Sequence, residues 1–308
     1  MNTPTEDHGK YRGQNFAMSL ENFRDIAAIA YRESGIALSD SKIAMVRSRL
    51  TRRLRALKMQ DFDEYIKLVK SPDGHLEVGH LVSALTTNVS HFFRENHHFA
   101  LLKDKILPRL LERARAGGRV RIWSAGCSNG QEPYSIAMTI LALDPTASAR
   151  DIRILATDID PIVLKTARAG IYSGALMTGL ENHHISAFFE RVNNTAEPSY
   201  RANEDLRKMV TFRELNLHHR WPMNGTFDVI FCRNVVIYFD VPTQTVLYQN
   251  FARVLAADGW LILGHSERIS DGALSLFEGA GLTTYRPIGA ARQHAEANKT
   301  RLTGKGAR

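Results

Sequence analysis

The sequence has few cysteines and no long apolar segment. Its two cysteines, Cys127 and Cys232, stand far apart within 308 residues, which argues against a disulfide framework and favours a reducing cytoplasm. A run of about 18 apolar residues is missing, so no transmembrane helix and no direct membrane insertion are expected. The polar N-terminus also lacks the apolar segment of a secretory signal. With 44% hydrophobic residues, the chain can bury a sizeable core.

Acidic residues are missing between Lys42 and Lys58, a stretch that holds seven cations. Its apolar residues recur at helical spacing, so the cations cover the rest of a helix. The net charge is +8, and a positive surface attracts either nucleic acid or an acidic protein. A solvated face is the alternative, but cations without a partner acid favour a docking surface. The predicted docking residues are Arg47, Arg49, Arg52, Arg53 and Arg55.

Hydrophobic periodicity divides the chain into a helical part and an alternating part. Residues 1–17 are expected to form a flexible leader and residues 18–90 a helical domain, because apolar residues recur there at helical spacing. Another helix is predicted from Phe99 to Ala116, ended by two glycines. Apolar strands then alternate with helices, which predicts an α/β domain over 91–287 with a parallel sheet.

Two segments depart from this alternation. Residues 171–212 mix aromatic with many polar residues and predict a small inserted subdomain. Residues 288–308 are basic and poor in hydrophobic side chains, so a disordered tail is expected. The predicted strands of the alternating part begin at Val120, Ile152, Phe227 and Trp260.

A glycine-containing turn follows the first predicted strand. The segment Gly126-Cys-Ser-Asn-Gly130 precedes a helix, so its backbone N–H groups can approach a ligand closely. Asp158 ends the next strand, where an acid can accept both hydroxyls of a ribose. A tight loop without ligand is the alternative for the turn, and an N-cap is the alternative for Asp158, although Asp160 suits that better. Dinucleotide and P-loop spacings are absent, which argues against nicotinamide, flavin and nucleoside triphosphate.

Histidines occur in three adjacent pairs but without the Cys/His spacing of a zinc site. The pairs are His97-His98, His183-His184 and His218-His219. Neighbouring residues on one helix or strand are expected to point apart rather than to converge on one ion. No metal site is therefore predicted.

Four long segments occur in the order of one known family. They are Thr87–Phe99, Trp123–Ser135, Ala156–Asp160 and Ile230–Asp240. In these segments the chain resembles the CheR-type methyltransferases, which methylate glutamates of chemotaxis receptors, and the likeness spans roughly residues 20–287. It implies a Rossmann-like class I methyltransferase domain with a small β-subdomain insertion (171–212), preceded by an all-α N-terminal domain. It also implies S-adenosyl-L-methionine as cofactor and S-adenosyl-L-homocysteine as product.

The resemblance assigns site residues to matching positions. Arg94 and Tyr238 are the residues expected to handle the substrate glutamate, with a structural salt bridge and a core tyrosine as the alternatives. Ser90 stands where the family often has threonine, which keeps the hydroxyl. The residues implied to contact the cofactor are Asn88, Ser90, Arg94, Gly126, Glu132, Asp158, Asn216, Leu217, Arg233 and Asn234.

The resemblance also implies partners. The basic helix is expected to meet the acidic, helical methylation region of a chemoreceptor's cytoplasmic domain. Some family members bind a receptor C-terminal peptide at the β-subdomain, but they tend to have glycines in a loop where this chain has none between Arg191 and Tyr200. This departure argues against such a tether.

Two other functions stay open at this point. A nucleic-acid methyltransferase suits the positive charge, but base N-methylating enzymes usually have Asn/Asp-Pro-Pro-aromatic where this chain has Cys232-Arg-Asn-Val. A cofactor-binding regulatory protein without turnover is the other hypothesis. Glutamate needs no general base because its pKa is ~4.3, and the sequence shows no convincing Ser/His/Asp or Cys/His set.

Overall fold

The structure, a computed structural model, describes residues 16–193, 195 and 197–289. Its contacts divide the chain into one unit that ends at Thr87 and a second that begins at Asn88, slightly before the expected boundary at 90/91. The predicted leader and tail lie outside the described residues except for 16–17 and 288–289. Phe16 is buried, with its ring edge against Phe62, so the expectation of a flexible leader is wrong at this residue.

The first unit is all helical, as predicted. Its helices are α1 (Leu20–Ser34), α2 (Ile43–Leu57), α3 (Phe62–Lys70) and α4 (His75–Leu85). A capping box at Ser19 begins α1, and Gly35 ends it in the left-handed conformation with φ 75°. The apolar faces of the four helices form one core around buried side chains such as Phe23, Leu50 and Tyr65.

The first helices of the second unit form the predicted long helical segment. It comprises α5 (His97–Leu101), a π-helical turn (Leu102–Ile106) and α6 (Leu107–Arg115). The helices that follow are α7 (Gln131–Leu143), α8 (Pro161–Ala169), α9 (Asn182–Phe188), α10 (Glu204–Met209) and α11 (Val241–Val254). Pro161 follows the N-cap Asp160, whose side chain accepts from the N–H of Ile162, an arrangement that suits a helix start. None of the helices among the described residues could cross a membrane.

A mixed seven-stranded sheet carries this unit. Its strands are β1 (Val120–Ala125), β2 (Ile152–Asp158), β6 (Val210–Glu214), β7 (Phe227–Cys232), β8 (Leu255–Leu263), β9 (Phe277–Gly281) and β10 (Thr284–Pro287). The order is β6-β2-β1-β7-β8-β10-β9. The pairs among β6, β2, β1, β7 and β8 are parallel, whereas β10 runs antiparallel to β8 and β9. The Rossmann-like fold class is confirmed.

A small antiparallel sheet forms the insertion, but the insertion is shorter than predicted. It contains β3 (Ile171–Ser173), β5 (Ser199–Ala202) and β4 (Phe189–Arg191), in that order. The prediction of 171–212 is wrong at its end, because Val210–Glu214 forms β6 at the edge of the main sheet. An edge strand faces solvent on alternate residues, so its sequence looks as polar as the insertion before it.

Candidate functional site

The glycine turn lies where the order of the main sheet reverses. Strand β1 is followed along the chain by its neighbour on one side, β2, whereas β7 lies on its other side. Ligands of open α/β sheets bind at such a point, beyond the carboxyl ends of the strands. Gly126 follows β1 with φ 85°, and a Cβ built there would lie 2.3 Å from Cγ2 of Val235. A side chain at this position is therefore excluded both by conformation and by space.

The turn is bound to the end of β2 by backbone groups and by Asp158. The N–H groups of Gly126 and Cys127 donate to the carbonyl of Thr157. The N–H of Ser128 donates to Oδ2 of Asp158 at 2.8 Å, and that of Asp160 donates to Oδ1 at 3.0 Å. Asp158 is 8% exposed, and its carboxylate retains acceptor sites for a ligand.

Burial raises the pKa of Asp158, although the backbone N–H groups of Asp160 and Ser128 oppose the shift. The pKa of the Cys127 thiol is raised well above its usual value, again chiefly by burial. Burial therefore disfavours the thiolate of Cys127, the form in which a cysteine acts as nucleophile.

The segment 88–96, which connects the start of the second unit to α5 and is called the connector here, reaches the same turn. Nδ2 of Asn88 donates to Oδ2 of Asp160 at 2.7 Å, and the hydroxyl of Ser128 donates to the carbonyl of Asn88 at 3.1 Å. A guanidinium nitrogen of Arg94 donates to the carbonyl of Val89 at 2.8 Å. Asn88 is thus joined to the glycine turn and to the loop after β2.

Aromatic packing fixes the middle of the connector. Phe92 is buried and meets Tyr172 and Phe189 edge to face, with ring centroids 5.1 and 5.5 Å apart. The N–H of Phe93 donates to the hydroxyl of Ser135, on α7. The predicted contact residue Ser90 lies just before this anchor and is half-buried.

The predicted contacts Arg233 and Glu132 meet each other in a buried charge cluster. The Arg233 side chain is 2% exposed and lies 3.2 Å from Oε2 of Glu132 and 3.4 Å from Oε2 of Glu95. It also donates to the carbonyl of Arg94 and lies over the ring of Phe99, 5.5 Å from its centroid. Arg233 therefore joins β7 to α7 and to the connector.

Glu95 is a member of this cluster that the sequence analysis missed. Its Oε1 accepts from Nδ2 of Asn234 at 3.2 Å, and the backbone N–H of His265 donates to Oε2 at 3.1 Å. Burial raises its pKa, but hydrogen bonds from His265 and the charge of Arg233 outweigh burial and lower the pKa to about 2. Glu95 therefore stays ionised at neutral pH and fixes Asn234.

Glu132 has the opposite balance. Its Oε1 accepts from the hydroxyl of Ser124 at 2.6 Å, at the end of β1. Burial raises its pKa against the effects of Arg233 and Ser124. The carboxylate thus depends on the Arg233 guanidinium for its charge state.

The segment after β6 brings Asn216 and Leu217 to the neighbourhood of Asp158. The N–H of Leu215 donates to the carbonyl of Asp158 at 2.9 Å. Oδ1 of Asn216 accepts from the N–H of His218, which tightens the turn. Leu217 is 8% exposed and belongs to the core cluster around Trp123.

Tyr238 lies on the loop after β7, in a 3-10 turn over Val236–Tyr238. Asn234, near the start of this loop, has φ 60°. Gly126, Asp158, Asn234 and Tyr238 therefore lie at or just beyond the carboxyl ends of the parallel strands β1, β2 and β7.

Comparison with known proteins assigns the family. The SAM binding domain of CheR methyltransferases matches residues 88–286, and the all-alpha domain of CheR methyltransferases matches residues 21–86. A probable chemotaxis protein methyltransferase of Rhizobium etli is 48% identical over 83% of this chain and 96% of its own length. The chain belongs to the CheR methyltransferase family.

Two further relatives also match most of the chain. The chemotaxis protein methyltransferase of Escherichia coli is 41% identical over 83% of this chain and 87% of its own. Chemotaxis protein methyltransferase 2 of Pseudomonas aeruginosa is 40% identical over 90% of this chain and 96% of its own. This CheR-family chain is an S-adenosylmethionine-dependent methyltransferase.

The residues around the glycine turn, where the order of the main sheet reverses, fit S-adenosylmethionine. Gly126 keeps the turn compact, because Val235 packs where a Cβ would lie. Asp158 presents a buried carboxylate at the end of β2, suited to hydroxyl donors of a ribose. When bound, the cofactor supplies a methyl group on a cationic sulfur.

The basic face of α2 is only partly available in this CheR-family chain. Glu77 on α4 pairs with Arg53, at 2.6 and 2.5 Å, so the expectation that these cations lack a partner acid is wrong. Arg49 donates to the carbonyls of Leu85 and Thr86. The sequence shows that α2 itself contains no acid. It does not show whether an acid of another helix lies beside the arginines. Arg47, Arg52 and Arg55 are exposed.

Two histidine pairs do converge with a carboxylate, contrary to expectation. The ligand atoms of Glu95, His97 and His98 lie within 4.8 Å of one another, as do those of Glu181, His183 and His184. In each group the acid stands two residues before the histidine pair, and its carboxylate lies close to the histidine rings. In the first group Glu95 already neutralises Arg233, which weakens its attraction for a cation. The absence of a metal site stays a prediction.

Proposed function

We propose that this enzyme transfers the methyl group of S-adenosyl-L-methionine to the γ-carboxylate of specific glutamates on chemoreceptors, in the cytoplasm. The products are glutamate methyl esters, which serve chemotactic adaptation, and S-adenosyl-L-homocysteine. One observation carries the proposal: Asn88 and Asp158 are both hydrogen-bonded to Ser128 of the glycine turn, and Arg94 follows on the same connector. Membership of the CheR family supports the choice of glutamate.

The chemistry needs little from an acid or base. A glutamate with a pKa of ~4.3 is a nucleophile at neutral pH. One carboxylate oxygen forms the new bond to the methyl carbon as the carbon–sulfur bond breaks. The electron pair of the broken bond stays on sulfur. The opposite charges of the reactants disappear in the transition state, so removal of water favours the reaction.

Alignment supplies the remaining acceleration, up to ~7–11 kcal/mol in well-oriented intramolecular reactions. Arg94 orients the acceptor carboxylate, to which a guanidinium can donate two parallel hydrogen bonds. Its bond to the carbonyl of Val89 holds the side chain against its own connector and leaves further N–H groups. Tyr238 contacts the same glutamate from the loop after β7. Tight binding of the glutamate carboxylate by Arg94 would stabilise the ground state as well as the transition state. Orientation is therefore the main contribution of Arg94.

The remaining predicted cofactor contacts divide into two groups. Asp158 holds the ribose, while Asn216 and Leu217 flank the adenine. Arg233 and Glu132 act chiefly through each other, because both are engaged in the buried charge cluster. Ser90 and Asn234 contribute polar groups from the two loops.

A labelling assay tests the activity. The full chain is incubated with radiolabelled S-adenosylmethionine and either chemoreceptor-containing membranes or RNA. Base-labile label on the receptor is expected; label on RNA would indicate a nucleic-acid methyltransferase, and cofactor binding without transfer a regulatory protein. Arg94→Ala should lose most receptor methylation, and near-normal kcat would contradict its role.

The exposed arginines of α2 dock the acidic methylation region of the receptor. Arg47 and Arg52 are exposed on the helix, whereas Arg49 and Arg53 are engaged within the helical unit. Charge reversal by Arg47→Glu or Arg52→Glu should slow receptor methylation without changing cofactor affinity. Lys67→Glu on α3, also exposed, is the matched control. Equal receptor kinetics in all three variants would contradict docking through α2.

A receptor C-terminal peptide is a possible partner of the β-subdomain, but the loop sequence argues against its binding. The loop between β4 and β5 contains no glycine. Titration of the full chain with a receptor C-terminal peptide measures it, and we expect no saturable binding.

A further inference from the structure

Glu267 is a buried carboxylate in the turn after β8. It is 3% exposed, and its own N–H donates to the carbonyl of Gly264, which closes the turn. Its Oε2 accepts from the N–H of Gly264 at 2.6 Å and from that of Asn234 at 2.9 Å. Its Oε1 accepts from the N–H of Ile237 at 3.2 Å. One side chain thus joins the loop after β8 to the loop after β7.

The loop that Glu267 holds is the wall of the proposed site. Asn234, the second residue after β7, has φ 60°, a conformation that residues other than glycine rarely adopt. Val235 contacts the glycine turn at Gly126. Ile237 directly precedes Tyr238. Glu267 therefore accepts from both ends of the segment 234–237, which leads directly to Tyr238.

The surroundings of Glu267 are suited to a carboxylate rather than to an amide. Among the described residues it forms no salt bridge, so backbone N–H dipoles compensate its charge. A glutamine has a single acceptor oxygen, and its NH₂ group would face an N–H donor. A Cβ on Gly264 would lie 2.8 Å from Oε2 of Glu267 and 2.8 Å from the nitrogen of Asn234. The contact therefore requires glycine at 264.

We propose that Glu267 is a positioning residue for methyl transfer: it holds the loop after β7 so that Asn234 and Tyr238 face the reacting groups. It touches neither cofactor nor substrate and acts through the backbone of this loop. The inference rests on the proposed function, specifically on the roles of Asn234 and Tyr238.

A double-mutant cycle tests this role in the full chain. Glu267→Gln should lower kcat for receptor methylation about tenfold or more while KM for the receptor changes little. In a Tyr238→Phe background, Glu267→Gln should lower kcat by a much smaller factor, because the loop no longer has the Tyr238 hydroxyl to position. Glu278→Gln, an exposed carboxylate on β9, is the matched control and should leave kcat unchanged. Thermal unfolding is measured on every variant.

Two results would overturn the inference: an unchanged kcat for Glu267→Gln, or losses that multiply with that of Tyr238→Phe, as expected of a merely structural residue. If Glu267→Gln does not fold, Gly264→Ala displaces the same carboxylate and takes its place in the cycle. A fully active Tyr238→Phe would refute the proposed role of Tyr238 alone, and Asn234→Ala then replaces it. A wild-type chain that transfers no methyl group refutes the proposed function before the cycle begins.

Discussion

Arg53→Ala should destabilise the helical unit although Arg53 lies on the basic face of α2. Its guanidinium donates to both oxygens of Glu77, at 2.6 and 2.5 Å, and the hydroxyl of Tyr65 donates to Oε1 at 2.9 Å. The Glu77 side chain is 7% exposed and that of Arg53 is 26% exposed. The substitution thus leaves a buried carboxylate without its cation.

Removal of one partner from a buried ion pair costs ~3–5 kcal/mol. Because Arg53 is partly exposed, water screens the pair and the lower end applies, about 3 kcal/mol. Arg52→Ala is the matched control, one residue away and exposed, and should change the free energy of unfolding by less than about 0.5 kcal/mol.

Urea unfolding of the full chain, followed by far-UV circular dichroism, measures the difference. Arg53→Ala with Glu77→Gln should recover part of the loss, because the neutral side chain no longer needs a cation. An Arg53→Ala variant as stable as Arg52→Ala would refute the reasoning. If the expectation holds, slow methylation by an Arg53 variant reports unfolding rather than lost docking.

Three further predictions concern the second unit. Gly126→Ala should raise the Kd for S-adenosylmethionine at least about tenfold in calorimetry, since φ 85° and the contact with Val235 exclude a methyl group; unchanged affinity would contradict the placement of the cofactor. Burial and then the charge of Arg233 lower the pKa of His98 from 6.5 to about 4, so the unfolded chain binds more protons between these values. Stability should therefore fall as the pH drops through this window, by about 2 kcal/mol at pH 5, and His98→Gln should flatten the dependence in urea unfolding; an equal slope in both proteins would refute it. Arg233→Met should destabilise the chain by ~3–5 kcal/mol in urea, because it strands Glu95 and Glu132; wild-type stability would contradict the charge cluster.

Local features of the sequence were enough for the fold class and for the centre of the site. The strands β1, β2 and β7 are largely apolar because both faces of a parallel sheet are buried. The glycine turn and Asp158 adjoin such strands, so strand position alone predicts that they meet. The helices of the first unit follow from their 3.6-residue periodicity.

Contacts between distant segments could not be predicted in this way. Glu95 bonds Asn234 across 139 residues and His265 across 170 residues, and no local pattern marks such a pair. The same holds for Glu77, which neutralises Arg53 from another helix. Strand β6 was missed because an edge strand has the polar alternation of a surface segment.

The sequence by itself determined the family, the cofactor class and the glycine turn, because these depend on residues close together along the chain. Only the tertiary structure decided which arginines are engaged in ion pairs and which are exposed for contact with a partner. It buries Arg233 between two carboxylates, commits Arg53 to Glu77, and leaves Arg47 and Arg52 exposed. The physical reason is that the state of a charge depends on its burial and its partner, and both come from segments that folding brings together.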